Sequence, residues 1–230
     1  PGVGWRSVHC VMEVAQRAEM APEQFMREDA AVLGRWLPAA LARLLAVNRA
    51  ALTGSGEGSL RFATPAGQGI IVSAWCAAYP EALRALGHDA PPVIALCGAV
   101  ELLAAPAAAV AGARMASPAA IEAATAVGAA LARSHVLVSG GAAGVDTAAH
   151  RAVLEAGGRS IVVLPQGLKT FGPPAWCRAG IAAGRVLLMS CAPEHAPWRA
   201  HHAVSRNPVI AAMGRAAAVI EPRSEGGSLK

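Results

Sequence analysis

The chain has 230 residues, 54% of them hydrophobic and 15% charged, so it can bury a large core and is not a disordered protein. Its cysteines are odd in number and form no C-x-x-C pair, so they indicate neither a disulfide framework nor a zinc knuckle. This usage fits a reducing compartment, and we expect a cytoplasmic protein. The cysteines are Cys10, Cys76, Cys97, Cys177 and Cys191.

Positive charge is concentrated in the second half of the chain. Residues 108–230 carry 12 Lys and Arg against 6 Asp and Glu, a net charge of +6, whereas residues 1–107 carry 8 against 9, a net charge of −1. The division favours an anionic partner for the second half, although a solvated Arg-rich surface accounts for the charge equally well.

The first 52 residues predict a small all-helical module. Helical segments are "WRSVHCVMEVAQRA", "PEQFMRE" and "AVLGRWLPAALARLLAVNRAAL", the last with leucines at helical spacing. These leucines are Leu33, Leu37, Leu41, Leu44 and Leu45. Residues 53–69 are rich in Gly, Ser and Pro and predict a linker. No basic segment followed by an apolar stretch opens the chain, so we expect no signal peptide.

From residue 70 onward, short β-type runs alternate with helical segments, which predicts βαβ crossovers and a parallel sheet covered by helices on both faces. The run at 93–113 contains Glu101 and Pro106 and predicts a strand, a turn and a strand instead of a membrane span. Strands are predicted at 70–74, 93–97, 108–112, 135–139, 160–164, 185–189 and 216–220, and helices near 118–133, 147–157, 174–183 and 207–214.

Sheets of this kind bind ligands beyond the carboxyl ends of their strands, where loops enter helix N-termini. The loop after the strand at 108–112 contains Gly112 and Arg114, followed by Ser117 and Pro118, which suit the N-cap and first residue of a helix. An arginine in this loop would lie at the ligand edge.

The loop "VSGGAAGVDTAAH", residues 138–150, is rich in glycine and leads into a predicted helix. Its backbone N–H groups would form a generic anion site, with Asp146 or Thr147 capping the helix. The pattern is neither G-x-G-x-x-G with a later acidic residue nor G-x-x-x-x-G-K-[ST], so a dinucleotide site and a P-loop are poor matches. By itself, the loop serves equally well as a tight structural connection.

Two further loops complete the predicted ligand edge. Pro208 permits a helix start near Asn207, which places Arg206 and Asn207 at a helix N-terminus. The last predicted strand is followed by "EPRSEGGSLK", which contains Gly226, Gly227, Ser228 and Lys230. Several anion-binding loops along one edge suit a polymer of phosphates better than one small cofactor.

Together these stretches resemble the DprA/Smf family, the DNA-processing proteins of bacterial natural transformation. The resemblance rests on "YPEALRAL…PPVIALCG", "AVAGARMAS", "LVSGGAAGVDTAAHRAVLEAGGRSIVVLPQGL" and "SRNPVIAAMGRAAAVIEPRSEGGSLK", in the family's order. It implies a Rossmann-like domain over residues 70–230 that binds single-stranded DNA in a basic pocket, forms a homodimer and helps to load the recombinase RecA. The implied role is not enzymatic, and we expect no cofactor, no metal and no membrane association.

The resemblance also assigns residues. Arg114 matches the arginine of a G-S-R motif, Arg206 and Asn207 match the start of an R-N-R-I-I motif, and the glycine-rich loop matches S-G-x-A-x-G-I-D-x-x-A-H. In that loop motif, His150 is expected to order the loop and not to catalyse a reaction. The implied DNA- or phosphate-binding residues are Gly112, Arg114, Ser139, Gly140, Gly141, Gly144, Asp146, Lys169, Arg206, Asn207, Gly226, Gly227, Ser228 and Lys230.

The N-terminal module resembles a partial helix-hairpin-helix, or SAM-like, motif, in which Gly2 and Gly4 would present N–H groups to a phosphate. A degenerate hairpin without DNA contact is the favoured alternative. Because the chain begins inside this hairpin and ends inside the last motif, we expect a fragment that lacks the family's final strand and any C-terminal winged-helix domain.

Several positions depart from the family's pattern. Ala113 replaces the serine of G-S-R, Ala143 occupies a position that is often basic, and Pro208 replaces the second arginine of R-N-R-I-I. The usual G-C-G-L-D reads "PQGLK". These changes predict a pocket with fewer cationic contacts, for which Lys169 and Arg178 could compensate.

Two other functions stay open. A nucleotide-binding or nucleotide-hydrolysing enzyme or sensor related to phosphoribohydrolases would carry P-G-G-x-G-T-x-x-E, whereas this chain reads "EPRSEGGSLK". A degenerate structural or protein-binding domain would have neither activity. His195, His201 and His202 lack a partner at ligand spacing, which favours a solvated loop over a metal site. Trp176 and Trp198 could stack on bases, but packing against the sheet is the favoured interpretation.

Overall fold

The computed structural model describes residues 13–15, 17–20, 22–25, 28–37, 42, 61–74 and 78–222. The chain divides into two compact units, Pro1–Leu60 and Arg61–Lys230. The described part of the first unit contains the short helices α1 (Pro22–Phe25) and α2 (Ala30–Leu33). A small apolar core surrounds Phe25 and Leu33, as a helical module requires.

The second unit is built on one eight-stranded sheet in the order β1-β2-β3-β7-β6-β5-β4-β8. Pairing is parallel from β7 to β8, and antiparallel among β1, β2, β3 and β7. The strands are β1 (Arg61–Thr64), β2 (Gly67–Ser73), β3 (Val93–Gly98), β4 (Ala107–Gly112), β5 (Val136–Ser139), β6 (Arg159–Leu164), β7 (Val186–Ser190) and β8 (Ala217–Ile220).

The α/β class is confirmed, but the sheet is mixed and not parallel throughout. Only Pro65 and Ala66 separate β1 from β2, and so short a connection permits an antiparallel hairpin but no crossover. The predicted strand at 70–74 is therefore the second half of a hairpin, and the one at 93–97 pairs antiparallel to both of its neighbours.

The same hairpin changes the assignment of residues 61–69, which composition alone placed in a linker. The hydroxyl of Thr64 donates to the carbonyl of Gly67 at 2.8 Å and accepts from the N–H of Ala66 at 3.1 Å. The ring of Phe62 packs against Gly69 so closely that a Cβ at Gly69 would lie only 2.7 Å from it. Glycine and proline here make a tight turn, and the boundary between the units falls after residue 60.

The helices of the second unit are α3 (Glu81–Arg84), α4 (Pro118–Leu131), α5 (Val145–Glu155), α6 (Ala175–Ala182), α7 (Ala200–Ser205) and α8 (Asn207–Met213). Short 3₁₀ helices span Gly87–Asp89 and Val100–Ala104. The sequence predicted α4, α5, α6 and α8, but neither the four-residue α3 nor the six-residue α7. None of the helices in the described ranges is long and apolar enough to cross a membrane.

Both faces of the central parallel strands β5, β6 and β7 are buried, whereas the residues of the outer strand β8 are exposed or half-buried. Helices α4, α5 and α6 share a core with one set of alternate strand residues, among them Val110, Leu137 and Val162. Residues of the other set, such as Val138 and Ile161, are fully buried as well, and α8 packs against β4 and β5. Near-continuous apolar strands are what a sheet covered on both sides requires.

His150 fastens α5 to this sheet from a completely buried position. Its Nδ1 lies 2.6 Å from the hydroxyl oxygen of Ser160, and that hydroxyl donates to the carbonyl of Leu137 at 3.2 Å. Since the serine proton points to Leu137, Nδ1–H of a neutral imidazole is the donor to Ser160. The ring also stacks on Trp176, with centroids 5.4 Å apart, so Trp176 is part of the packing.

Burial, reinforced by the charge of Arg206, lowers the pKa of His150 to about 3. An unfolded chain would protonate this imidazole near its ordinary pKa of 6.5, while the folded protein resists the proton. We therefore expect the free energy of unfolding to fall as pH drops from about 6.5 toward 3, by up to about 1.4 kcal/mol per pH unit from this group. Urea unfolding at pH 7, 6 and 5 measures the slope.

The matched variant is His150→Asn, whose amide can still donate to Ser160 but does not titrate. It should be less stable at pH 7 and show a flatter dependence of stability on pH. Equal slopes in the two proteins would contradict the assignment of a buried neutral imidazole.

Candidate functional site

The strand order reverses at β4, because β5, β6 and β7 extend the sheet on one side and β8 returns to the other. Open α/β sheets form their ligand crevice at such a point, beyond the carboxyl ends of the strands. A cavity of about 700 Å³ occupies this position, large enough for a nucleotide-sized ligand. Alanines form much of its wall, namely Ala109, Ala111, Ala113, Ala142, Ala200, Ala203, Ala211 and Ala217.

Arg206 is the buried cation of the cavity, with 7% of its surface exposed. It stands at the N-cap position of α8, and its guanidinium donates to the carbonyl of Gly140 at 3.3 Å. A second contact, at 3.4 Å, reaches the side-chain oxygen of Asn207. Its Nε has no hydrogen-bond partner among the described residues and is buried. One donor of this arginine is therefore still unsatisfied inside the protein.

Gly140 is needed because Arg206 approaches its backbone so closely. A Cβ at this position would come within 2.0 Å of the guanidinium. The first glycine of the predicted anion-binding loop thus makes room for a cation of the protein itself. Gly141 follows with a φ of 68°, which favours glycine for its backbone conformation.

Asp146 is the electrostatic partner of Arg206, on the first turn of α5 and also buried. Burial raises the pKa of its carboxyl, while Arg206 and the N–H of Ala142, at 3.3 Å, act in the opposite direction. Burial likewise lowers the pKa of Arg206, opposed by Asp146. A carboxylate here offsets part of the arginine's charge, so it positions Arg206 and the loop better than it would bind a phosphate.

The glycine-rich loop is held against the loop that carries Arg114. Gly144 has a φ of 79°, and a Cβ there would lie 2.3 Å from the carbonyl of Ala113, which accepts from the N–H of Val145 at 3.1 Å. The helix starts at Val145 with Gly144 in the N-cap position, so neither Asp146 nor Thr147 is the N-cap residue. The hydroxyl of Thr147 donates to Ala142 at 2.7 Å and closes the loop from within.

Ser139 and Gly112 shape the floor of the crevice. The Ser139 hydroxyl is fully buried and donates to the carbonyl of Val110 at 2.6 Å, which ties β5 to β4. At Gly112, a Cβ would lie 2.4 Å from the carbonyl of Ile220 in β8. Both residues lie at the predicted edge, and the contacts described for them are structural.

Arg114 is the exposed cation of the crevice. Its guanidinium carbon lies 5.9 Å from the ring centre of Trp198, a side chain that is 51% exposed. Trp198 was expected to pack against the sheet, but half of its surface is exposed and it lies beside Arg114, which lines the cavity. Ser117 caps α4 as predicted, and its own N–H donates to the carboxylate of Glu221 at 2.8 Å.

Lys169 and Arg178 do not join these arginines. The ammonium of Lys169 lies 3.0 Å from a carboxylate oxygen of Glu194, and Arg178 donates to the carbonyl of Pro173 at 2.5 Å. Neither side chain lines the cavity, because both follow β6, which is two strands away from β4. Neither residue therefore adds a cation to this cavity, and contact of Lys169 with DNA stays a prediction.

The remaining predicted residues fall outside the described ranges. They are Gly2 and Gly4 of the hairpin and Gly226, Gly227, Ser228 and Lys230 of the last loop. Within those ranges, no group of three His, Cys, Asp or Glu residues is placed to hold a metal. His195 faces Glu194 at 3.4 Å, and His201 contacts His202 edge-on at 4.3 Å between centroids.

The fold and the site define a Rossmann-like α/β protein with two arginines at the crevice where its strand order reverses. The sequence model of the family described as DNA recombination-mediator protein A matches residues 70–230. The chain therefore belongs to this family.

Individual relatives agree with this assignment. The chain is 36% identical to the DNA processing protein DprA of Streptococcus pneumoniae over 66% of its own length and 54% of that protein. It is 34% identical to the protein Smf of Escherichia coli over 42% of its own length and 26% of that protein. The chain thus spans about half or less of these relatives.

Two solved structures share the fold. The crystal structure of DprA from Streptococcus pneumoniae matches with a TM-score of 0.75 and 26% identity, covering 99% of this chain and 77% of that one. DNA processing protein A from Helicobacter pylori, whose single-stranded DNA binding mode has been studied structurally, matches with a TM-score of 0.59 and 24% identity. That match covers 69% of this chain and 73% of the other.

Gly140→Ala tests the packing of Arg206. The added methyl group would overlap the guanidinium, so we expect a loss of about 2 kcal/mol in the free energy of unfolding. Gly172→Ala is the matched control, since a Cβ at Gly172 meets nothing within 4 Å. Urea unfolding of both variants measures the difference. Equal stabilities of Gly140→Ala and Gly172→Ala would show that the packing of Arg206 does not require glycine at position 140.

Proposed function

We propose that this chain is a non-enzymatic mediator of DNA recombination that binds single-stranded DNA along the crevice at β4 and β8. The main observation behind the proposal is that two arginines, the exposed Arg114 and the buried Arg206, line the same cavity. This cavity lies in the half of the chain that carries the net charge of +6 between residues 108 and 230.

The two arginines would have different tasks. Arg114 is exposed and can reach a phosphate, whereas Arg206 is buried beside Asp146 and contributes a smaller net field. The alanine side chains that form much of the wall offer no hydrogen bonds to base edges, which suits a strand bound without regard to sequence. Such binding is governed by phosphate contacts and falls with salt concentration.

The family membership supports the wider biological role. The relatives of this chain include the DNA processing protein DprA of Streptococcus pneumoniae. We propose that the chain likewise acts in natural transformation, as a homodimer that hands the bound strand to RecA. Sedimentation velocity tests the dimer, and assembly of RecA on an oligonucleotide with and without the chain tests the transfer.

The proposal includes the absence of catalysis. Asp146 is the one carboxylate among the described residues that line the cavity, and it is buried beside Arg206. Held in this way, it orders the site and is poorly placed to take a proton from a ligand. Incubation with a panel of nucleoside monophosphates should release no free base. Release of base would instead favour a nucleotide hydrolase.

Arg114→Ala should weaken binding of an oligo-dT strand several-fold and lower the slope of log K against log salt by about 1, since one phosphate contact is removed. Fluorescence anisotropy across a salt series measures both quantities. Arg159→Ala is the matched control, because Arg159 is exposed at the start of β6. It therefore lies at the amino ends of the parallel strands, away from the carboxyl ends that form the crevice. The same loss in both variants would contradict a defined site.

A further inference from the structure

The mouth of the cavity has an apolar rim. The described residues include seven large hydrophobic side chains that are exposed, namely Trp36, Val93, Val100, Met115, Trp198, Val204 and Val219. Met115, Val204 and Val219 line the cavity, and Trp198 contacts Arg114, which also lines it. More than half of the exposed apolar side chains therefore meet at one place, which marks a binding surface and not scattered exposure.

Trp198 is the largest member of this rim and stands beside a charge. The guanidinium of Arg114 lies over its ring at 5.9 Å, and half of the Trp198 surface is still exposed. The guanidinium covers one side of the indole, and the exposed half of the residue leaves aromatic surface accessible to a ligand. Fixing the arginine in this way also holds its charge at the edge of that surface.

These neighbours suit an occupant that is flat and apolar in one part and anionic in the next. A nucleobase with its phosphate has this chemistry, since the base can stack on the indole while the phosphate meets Arg114. A purely apolar partner would gain nothing from Arg114 and would desolvate it at a cost. The charge next to the apolar rim therefore selects a nucleotide unit as the occupant.

We propose that Trp198, held by Arg114, is a base-stacking platform at the entrance of the crevice and makes the chain prefer single-stranded to double-stranded DNA. The inference rests on the proposed function and adds a residue and a source of strand selectivity to it. In a duplex, the neighbouring base pairs cover both faces of each base, so duplex DNA can contact Arg114 but cannot stack a base on Trp198. Selectivity then comes from stacking and not from charge.

Trp198→Ala is the direct test, with Trp198→Phe as the conservative variant and Trp36→Ala as the matched control. Trp36 has nearly the same exposure, 48%, but belongs to the first unit. We expect Trp198→Ala to weaken binding of an oligo-dT strand by about 5-fold or more, as loss of one stacked base would. Trp198→Phe should retain most of the affinity, and Trp36→Ala should match the wild type.

Two readouts separate stacking from a general loss. Trp198→Ala should leave the slope of log K against log salt unchanged, in contrast to Arg114→Ala. It should also lower the ratio of the affinity for single-stranded DNA to the affinity for double-stranded DNA. An oligonucleotide with abasic sites should bind the wild type more weakly, and Trp198→Ala should add little to that loss. Equal affinity of Trp198→Ala and the wild type for oligo-dT would overturn the platform.

The results also distinguish a failure of the Trp198 platform from a failure of DNA binding as a whole. If Arg114→Ala weakens binding and Trp198→Ala does not, the platform is wrong and the DNA site stands. If the wild type binds no DNA at low salt, the proposed function fails, and the platform fails with it. If Trp198→Ala instead abolishes self-association at unchanged DNA affinity, the rim is a contact between copies of the chain and not a base platform.

Discussion

The burial of Arg206 is the constraint on which the crevice depends. Placing a guanidinium in the interior costs on the order of several kcal/mol unless nearby groups compensate for lost water. Here the carbonyl of Gly140, the side chain of Asn207 and the charge of Asp146 supply that compensation. This one cation requires glycine at position 140, because any side chain there would overlap the guanidinium. It also requires a carboxylate at position 146, because a neutral residue would leave the buried charge without an opposite charge.

The same constraint explains how the loops come together. The loop of residues 140–144 contacts Arg206 through Gly140 and also contacts the loop after β4. The second contact requires the positive φ of Gly144, where the chain meets the carbonyl of Ala113. His150 then holds α5 to β6 from inside the core. The carbonyls of Gly140 and Ala142 and the N–H of Ala142 already bond to groups of the protein. We propose that the exposed Arg114 and Trp198 make the contacts with the ligand.

The sequence predicted the alternating α/β unit and the loops at its ligand edge because apolar periodicity and helix-capping residues are local signals. It could not predict the antiparallel β1–β3 extension, since Gly- and Pro-rich composition fits both a linker and a hairpin turn. Nor could it distinguish Arg114 from Arg206, or Trp198 from Trp176. Exposure of such residues is decided by tertiary packing, which a single sequence does not display.

We propose that single-stranded DNA lies along the crevice at β4 and β8, and the position of a bound strand can be measured. The most direct measurement is photocrosslinking of an oligonucleotide that contains 4-thiothymidine, followed by mass spectrometry of the peptides. A strand bound in this crevice should give crosslinks in the loop at 112–115 and in the segment 198–207. Crosslinks confined to the opposite edge of the sheet, around Arg159 and Arg185, would contradict it.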